Sequence, residues 1–217
     1  MDISKYASIL INGGIIAFPT ETVYGFGVIF DDEKAYEKLI NIKRRPPEKP
    51  FTLMCEKTSD IEKYGYVNDD IKKIINKFMP GQLTIILKAK PGLPPFVVSK
   101  DNTVGIRISS HPIVQSLIHQ VGKPLLVPSA NRSGEPPLIN YQDVKNQFEN
   151  ELDGIIEGKT TTNVPSTVVS LIDKICVLRE GNIKLDDINR CLTEELWKSL
   201  LRQITLDIII KVRLLNI

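Results

Sequence analysis

The sequence predicts an α/β fold, a mixed sheet with helices packed on it. Two observations carry this. Short apolar runs alternate with amphipathic helical stretches, but irregularly, and several runs follow one another with no helix between them. A regular doubly wound sheet would need a helix at each crossover, so a mixed sheet fits better. A third observation bears on domain number: there is no repeat, no low-complexity tract and no obvious linker, which predicts one domain over 1–183 and a helical C-terminal extension over 184–217.

The elements follow in order. Ile3, Ala7, Leu10 and Ile11 fall at helical spacing, and Gly13-Gly14 supplies the stop. "IIAF" reads as a buried strand, "PTETVYGFG" as a loop rich in hydroxyls and glycine, and "GVIF" as a second strand. Residues 31–45 form the clearest helix, with Ala35, Leu39 and Ile42 on one stripe, Asp31 or Asp32 as cap and a basic last turn. "FTLMC" is strand-like, and 68–78 is an amphipathic helix closed by Pro80-Gly81. "LTIILKA" and "TVGIRIS" are strands, Pro112 opens a helix over 112–121, and Gly122 ends it. "PLLVPSAN" is strand then loop. A helix is expected over 140–152, and "GIIEG", "TVVSLI" and "ICVLREG" are short strands.

The composition excludes several classes. With 217 residues the chain can bury a core without staples. A net charge of +2 is too small to argue for nucleic acid by itself, so any anion site must come from local clustering. Cys55, Cys176 and Cys191 are well separated, with no C-x-x-C and no His pair, which speaks against a disulfide framework and a zinc site. No metal ligands are expected from the protein. "MDISKYASIL" lacks the regions of a signal peptide, and Asp207, Lys211 and Arg213 interrupt the apolar tail, so a cytoplasmic protein with no membrane contact is expected.

Familiar catalytic motifs are missing, among them the P-loop, G-x-G-x-x-G, H-E-x-x-H and G-x-S-x-G. His111, just before Pro112, reads as a turn residue, and neither it nor His119 has an identified partner. What remains is a set of polar sites at strand edges. The first is "KRRPPEK", where Lys43, Arg45 and Lys49 either decorate a helix end or hold an anion. Pro46, Pro47 and the adjoining Pro50 stiffen this stretch, and stiffened cations lose less entropy on gripping a ligand. On a helix Lys43 and Arg45 diverge, so they meet one anion only if the helix unwinds near Pro46. The others are Ser129 and Asn131 in "VPSANRSG", the threonines of "PTET", Arg107 inside an apolar strand, "VPSTVV" and "LREG".

Taken together, "GGIIAFPTETVYGFG", "KRRPPEKPFTLM", "PGQLTIILK", "VGIRI", "PLLVPSANRSGEP", "PSTVV" and "VLREG" resemble the YrdC-type threonylcarbamoyl-AMP synthase family from about Gly13 to Gly181. The K-x-R and S-x-N signature, here Lys43, Arg45, Ser129 and Asn131, is the specific part. The resemblance implies a twisted open sheet with a basic concave cavity. It implies a nucleotidyltransferase that forms threonylcarbamoyl-AMP and pyrophosphate from L-threonine, bicarbonate and ATP, with Mg2+ on the triphosphate. A partner transferase would then carry the group to tRNA. Carried over by motif, Lys43 and Arg45 are the catalytic candidates. Arg45, Lys49, Thr103, Ser129, Asn131 and Arg179 would bind ATP. Thr22, Lys43, Arg107 and Ser166 would bind threonine.

The chain departs from the family pattern at three places. Arg44 stands where a small residue is common, Met54 where many members carry a histidine, and Ser109 where a proline usually follows the arginine. "KPFTLMC" also resembles a subgroup that lacks an intact S-x-N, which this chain has. Two other readings compete: a basic concavity that binds RNA without chemistry, for which the chain has few aromatics near the cluster, and a related carbamoyl-adenylate enzyme, which normally sits in a larger chain.

Overall fold

The computed structural model describes residues 2–45 and 50–193. Lys49, Pro46, Pro47 and the predicted helical extension beyond residue 193 lie outside the described residues; residues 185–193 are helical.

In chain order the elements are α1 (Ile3–Ile11), β1 (Ile16–Pro19), β2 (Tyr24–Ile29), α2 (Glu33–Lys43), β3 (Leu53–Cys55), α3 (Ile61–Tyr64), α4 (Asp69–Phe78), β4 (Leu83–Lys88), β5 (Thr103–Ile108), α5 (Pro112–Val121), β6 (Leu125–Leu126), α6 (Tyr141–Phe148), β7 (Gly154–Ile155), β8 (Thr167–Ser170) and β9 (Cys176–Arg179). The strands form one open sheet in the order β7-β1-β2-β6-β3-β5-β4-β8-β9. It is mixed: β3 runs parallel to β5 and β4 to β8, whereas β1–β2, β2–β6, β4–β5 and β8–β9 are antiparallel.

The helix signals operate locally. Asp32 caps α2 by accepting from the Ala35 N–H, Asn68 does the same for α4 from Ile71, and Asn140 for α6 from Asp143. Gly122 ends α5 in the left-handed conformation that glycine adopts without strain. Two elements are shorter than their periodicity suggests. The helix expected over 31–45 stops at Lys43, and the one over 140–152 stops at Phe148.

One assignment is corrected. "PTETVYGFG" is not a loop throughout, because β2 begins at Tyr24. Its glycines are packing residues: a Cβ on Gly27 would stand 2.5 Å from the Phe18 ring, and one on Gly25 2.7 Å from Val127. Tyr24, Phe26 and Val28 share the opposite face, at the strand period of two.

Side-chain alternation sorts the sheet into two faces. Leu53 and Cys55 of β3, Leu83, Ile85 and Leu87 of β4, and Val104, Ile106 and Ile108 of β5 join one core with α2, α4 and α6. Ile16, Phe18, Met54 and Leu125 point the other way, into a smaller core with Leu10 of α1 and Val114, Leu117 and Ile118 of α5. Burying one such aliphatic side chain contributes about 2 kcal/mol. The second helical layer meets β1, β2, β3 and β6. Over β4, β5 and β8 that face carries Thr84, Arg107 and Ser166 in place of an apolar core, and there the sheet opens into a cleft.

Candidate active site

The cleft has an empty volume of about 630 Å3 and is open to solvent. Strand ends and the loops after them build its walls. Thr20 and Thr22 follow β1, Arg45 follows α2, Ser129 follows β6, Ser166 precedes β8 and Arg179 closes β9. Met54 and Arg107 are direct partners across β3 and β5 and form part of the floor.

The K-x-R segment works because the helix ends early. Arg44 is left-handed (φ 49°, ψ 46°), the Arg45 N–H reaches back to the Ile40 carbonyl at 3.1 Å, and the Arg44 N–H to Asn41 at 3.1 Å. This pair of bonds is a Schellman ending, which usually has glycine at the left-handed position. The turn separates the two cations. Lys43 stays on the helix and points inward; Arg45 lies over the Phe51 ring at 5.1 Å and lines the cleft. Burial pulls the Arg45 guanidinium below its usual range, against the pull of Tyr36.

Lys43 is 2% exposed. Its ammonium donates to the Ser129 carbonyl at 2.5 Å, the Asn131 carbonyl at 2.8 Å and Asn131 Oδ1 at 2.9 Å. Those bonds use all three N–H donors of a lysine. Ser129 Oγ also donates to Asn131 Oδ1 at 2.7 Å, and Asn131 Nδ2 donates to the Glu135 carbonyl at 2.6 Å. The weld continues along the backbone, where the Ser133 N–H donates to the Lys43 carbonyl at 2.7 Å and Arg132 donates to the Ile42 carbonyl. K-x-R and S-x-N are therefore one structural unit. Burial first and Arg45 second bring Lys43 down to about 7.

Arg107 answers the question its strand raised, since it is paired. Nε donates to the Gly81 carbonyl at 3.1 Å, Nη2 donates to Thr22 Oγ1 at 3.1 Å, and Nη2 lies 2.8 Å from Glu21 Oε1. The N–H is not aimed at Oε1, which keeps unused acceptor capacity. Ser109 Oγ donates to the other oxygen of Glu21. Arg179 donates from Nε to the Ser166 carbonyl and from Nη2 to Ser166 Oγ, both at 3.0 Å, and Ser166 Oγ is 2.9 Å from Thr84 Oγ1. Burial, then Arg107 and Arg45, pull the Arg179 guanidinium down. The tight packing of Gly181, where a Cβ would meet the Pro165 carbonyl at 2.5 Å, sets this corner.

Of the sequence-predicted residues, the fold gathers Thr22, Arg45, Arg107, Ser129, Ser166 and Arg179 around the cleft. Lys43 and Asn131 stand behind Ser129 and do not line it. Thr103 is not gathered. It begins β5, its hydroxyl lies 2.7 Å from Ser99 Oγ, and four residues of strand, about 13 Å, separate it from Arg107. The reason is geometric: the spacing keeps both residues on one face of the strand but at opposite ends. Glu21 escaped sequence reading. The available signal was Arg107 itself, because an arginine inside a buried strand requires a counter-ion. Among the described residues no cluster of three His, Cys, Asp or Glu could hold a metal, and no helix is long and apolar enough to cross a membrane.

Known proteins resemble the chain as a whole. The Sua5/YciO/YrdC family model, described as "Telomere recombination", matches residues 8–181. A Methanocaldococcus jannaschii relative is 42% identical over 184 residues, 84% of this chain and 86% of its own length. The threonylcarbamoyl-AMP synthase of Photobacterium profundum is 34% identical over 183 residues, 83% of this chain and 99% of its own length. The crystal structure of P. abyssi Sua5 complexed with L-threonine superposes with a TM-score of 0.83 at 31% identity, over 87% of this chain. This chain spans 56% of that Sua5 chain.

Proposed function

The chain belongs to the Sua5/YciO/YrdC family, and from that premise we propose that it is a threonylcarbamoyl-AMP synthase, a nucleotidyltransferase that joins L-threonine, bicarbonate and ATP and releases pyrophosphate. The observation that carries the reading is the cleft itself. Three guanidiniums, Arg45, Arg107 and Arg179, line one cavity together with the hydroxyls of Thr22, Ser129 and Ser166.

The reaction joins two anions. The threonine amine attacks the bicarbonate carbon, a C–O bond of bicarbonate breaks, and the hydroxyl departs with an amine proton as water, which leaves a carbamate. A carbamate oxygen then attacks the α-phosphorus, and the bond to the β-phosphate breaks to release pyrophosphate. Both partners repel, so the protein's task is charge neutralisation and alignment. Arg107 has Nη1 without a partner among the described residues, and this edge suits the threonine carboxylate. Thr22 and Ser166 offer hydroxyls to the rest of the amino acid. Arg45 and Arg179 suit the phosphates, with Ser129 beside them and Lys49 as a further phosphate contact. Lys43 and Asn131 act by holding the Ser129 carbonyl and hydroxyl in place.

The donor set around the cleft is cationic and hydroxylic, which fits a magnesium ion that arrives as part of its ATP substrate and is held by the triphosphate oxygens. On this reading a transferase uses the product on tRNA, which places the protein in the cytoplasm, and direct RNA contact is not required. Carbon-labelled bicarbonate tests it. In the presence of ATP, magnesium and L-threonine the label should enter a nucleotide with the mass of threonylcarbamoyl-AMP. Label absent from every nucleotide product would refute the proposal.

A further inference from the structure

Thr84 lines the cleft, although no sequence motif points to it. It is 2% exposed and sits in β4 with its side chain on the cleft face. β4 and β5 pair antiparallel through Ile85 and Ile106, so Thr84 and Arg107, the next residues along, are neighbours on that face. Met54 flanks Arg107 on the other side, across β3. An amino acid whose carboxylate rests on Arg107 therefore has Met54 on one flank and Thr84 on the other. Met54 offers a thioether, which accepts weakly and donates nothing. Of the two flanks, only the Thr84 side can donate to a substrate hydroxyl.

The protons around Thr84 can be counted. Thr84 Oγ1 lies 2.9 Å from Ser166 Oγ, and Arg179 Nη2 donates to Ser166 Oγ at 3.0 Å. Two hydroxyls carry two protons and their shared bond uses one, so one O–H is left over among the described residues. The guanidinium decides which. A bond accepted from a cation polarises the Ser166 hydroxyl and makes it the better donor, so its proton goes to Thr84. The chain of bonds runs head to tail from Arg179 through Ser166 and ends on the Thr84 O–H.

Thr22 supplies the complement. Thr20 Oγ1 donates to the Val23 carbonyl at 2.7 Å, so the proton in its 2.9 Å contact with Thr22 comes from Thr22. Thr22 Oγ1 also accepts from Arg107 Nη2 at 3.1 Å, which leaves it a lone pair and no proton. A spare donor and a spare acceptor beside Arg107 are what an alcohol requires.

Building on the proposed function, we propose that Thr84 is a specificity-determining residue: its O–H donates to the side-chain hydroxyl of the amino acid held by Arg107, and Thr22 accepts that hydroxyl's proton. The site thereby selects a β-hydroxy amino acid over an apolar one of the same shape, because valine would leave both groups unpaired.

Steady-state pyrophosphate release by the full chain, with L-threonine as substrate and L-valine as its competitor, tests this. The wild type should favour L-threonine by about 100-fold or more. Thr84→Val keeps the shape and the strand propensity and removes the donor. It should lower kcat/KM for threonine about 10- to 100-fold and leave the inhibition constant of valine within about threefold or tighter. Thr84→Ser returns the hydroxyl and should bring threonine back to within about fivefold of wild type. Thr84→Cys, whose thiol is a weak donor, should lose about tenfold for threonine alone, and it decides the matter if Thr84→Val fails to fold. A merely structural residue would weaken threonine and valine together. That result, or a threonine kcat/KM that falls by less than about threefold, overturns the inference alone. A wild type with no threonine-dependent release overturns the proposed function and the inference with it.

Discussion

Lys43 Nζ and Asn131 Oδ1 stand 2.9 Å apart, 88 residues apart in the chain, and through this contact the K-x-R and S-x-N segments become one object. The lysine fixes the loop that carries Ser129, and the loop carries the acceptors that make a buried ammonium tolerable.

Lys43→Met should therefore damage folding as well as turnover. It leaves the Ser129 carbonyl and both Asn131 oxygens short of a donor, and urea denaturation should register a loss of about 2–4 kcal/mol. The pH dependence has a definite sign. The folded state holds Lys43 at about 7, below its ordinary 10.5, so between those values the unfolded chain binds more protons. Stability of the wild type relative to Lys43→Met should rise with pH across that window, by about 1 kcal/mol per unit between pH 7.5 and 9. A difference that is flat or falls with pH would mean that burial does not govern this amine.

Arg44→Gly should stabilise the protein. A non-glycine residue in the left-handed region costs about 1 kcal/mol, and glycine at this helix ending removes that cost. The melting temperature should increase by about 2–4 °C for a chain of this size. No increase would show that the Arg44 side chain makes a compensating contact.

Arg45→Ala should reduce kcat/KM for ATP by a factor of about 30 to 1,000, the kinetic equivalent of losing a charge-assisted contact to a phosphate. Its stability should fall little by comparison with Lys43→Met, since the guanidinium lies along the cleft wall. On the proposed function, the two variants separate a residue that would meet substrate from one that shapes the wall.

Thr103→Val should leave the ATP KM within about twofold of wild type. The hydroxyl bonds Ser99 at the far end of β5 from Arg107, so its removal reports on that turn alone. A large rise in KM would return Thr103 to the nucleotide site.

Much of this was legible because the site is made of short motifs at strand ends. Ser129, Asn131, Arg45 and Arg107 each sit where a hydrophobic run stops or is interrupted, and such interruptions show in one sequence. The Asp32 helix cap was legible for the same reason, being local. What was hidden depends on distant partners. Gly25 and Gly27 looked like loop residues because Phe18 and Val127, which exclude a side chain there, lie elsewhere in the chain. Glu21 looked like an ordinary acid in a polar turn until β5 brought Arg107 to it, 86 positions later. Thr103 lies outside the cleft lining for the reverse reason: strand parity told which face it is on, but not how far along the face the cleft extends. The left-handed Arg44 was hidden because its side chain gives no sign of it.

On the proposed function, three arginines and their hydroxyl neighbours form one cavity for threonine and ATP. Pyrophosphate release by the wild-type chain with ATP, magnesium and bicarbonate, measured with and without L-threonine, tests it most directly. Release should require L-threonine and should fall when Arg45, Arg107 or Arg179 is replaced by alanine. Release that proceeds equally without threonine, or that survives all three replacements, would contradict it.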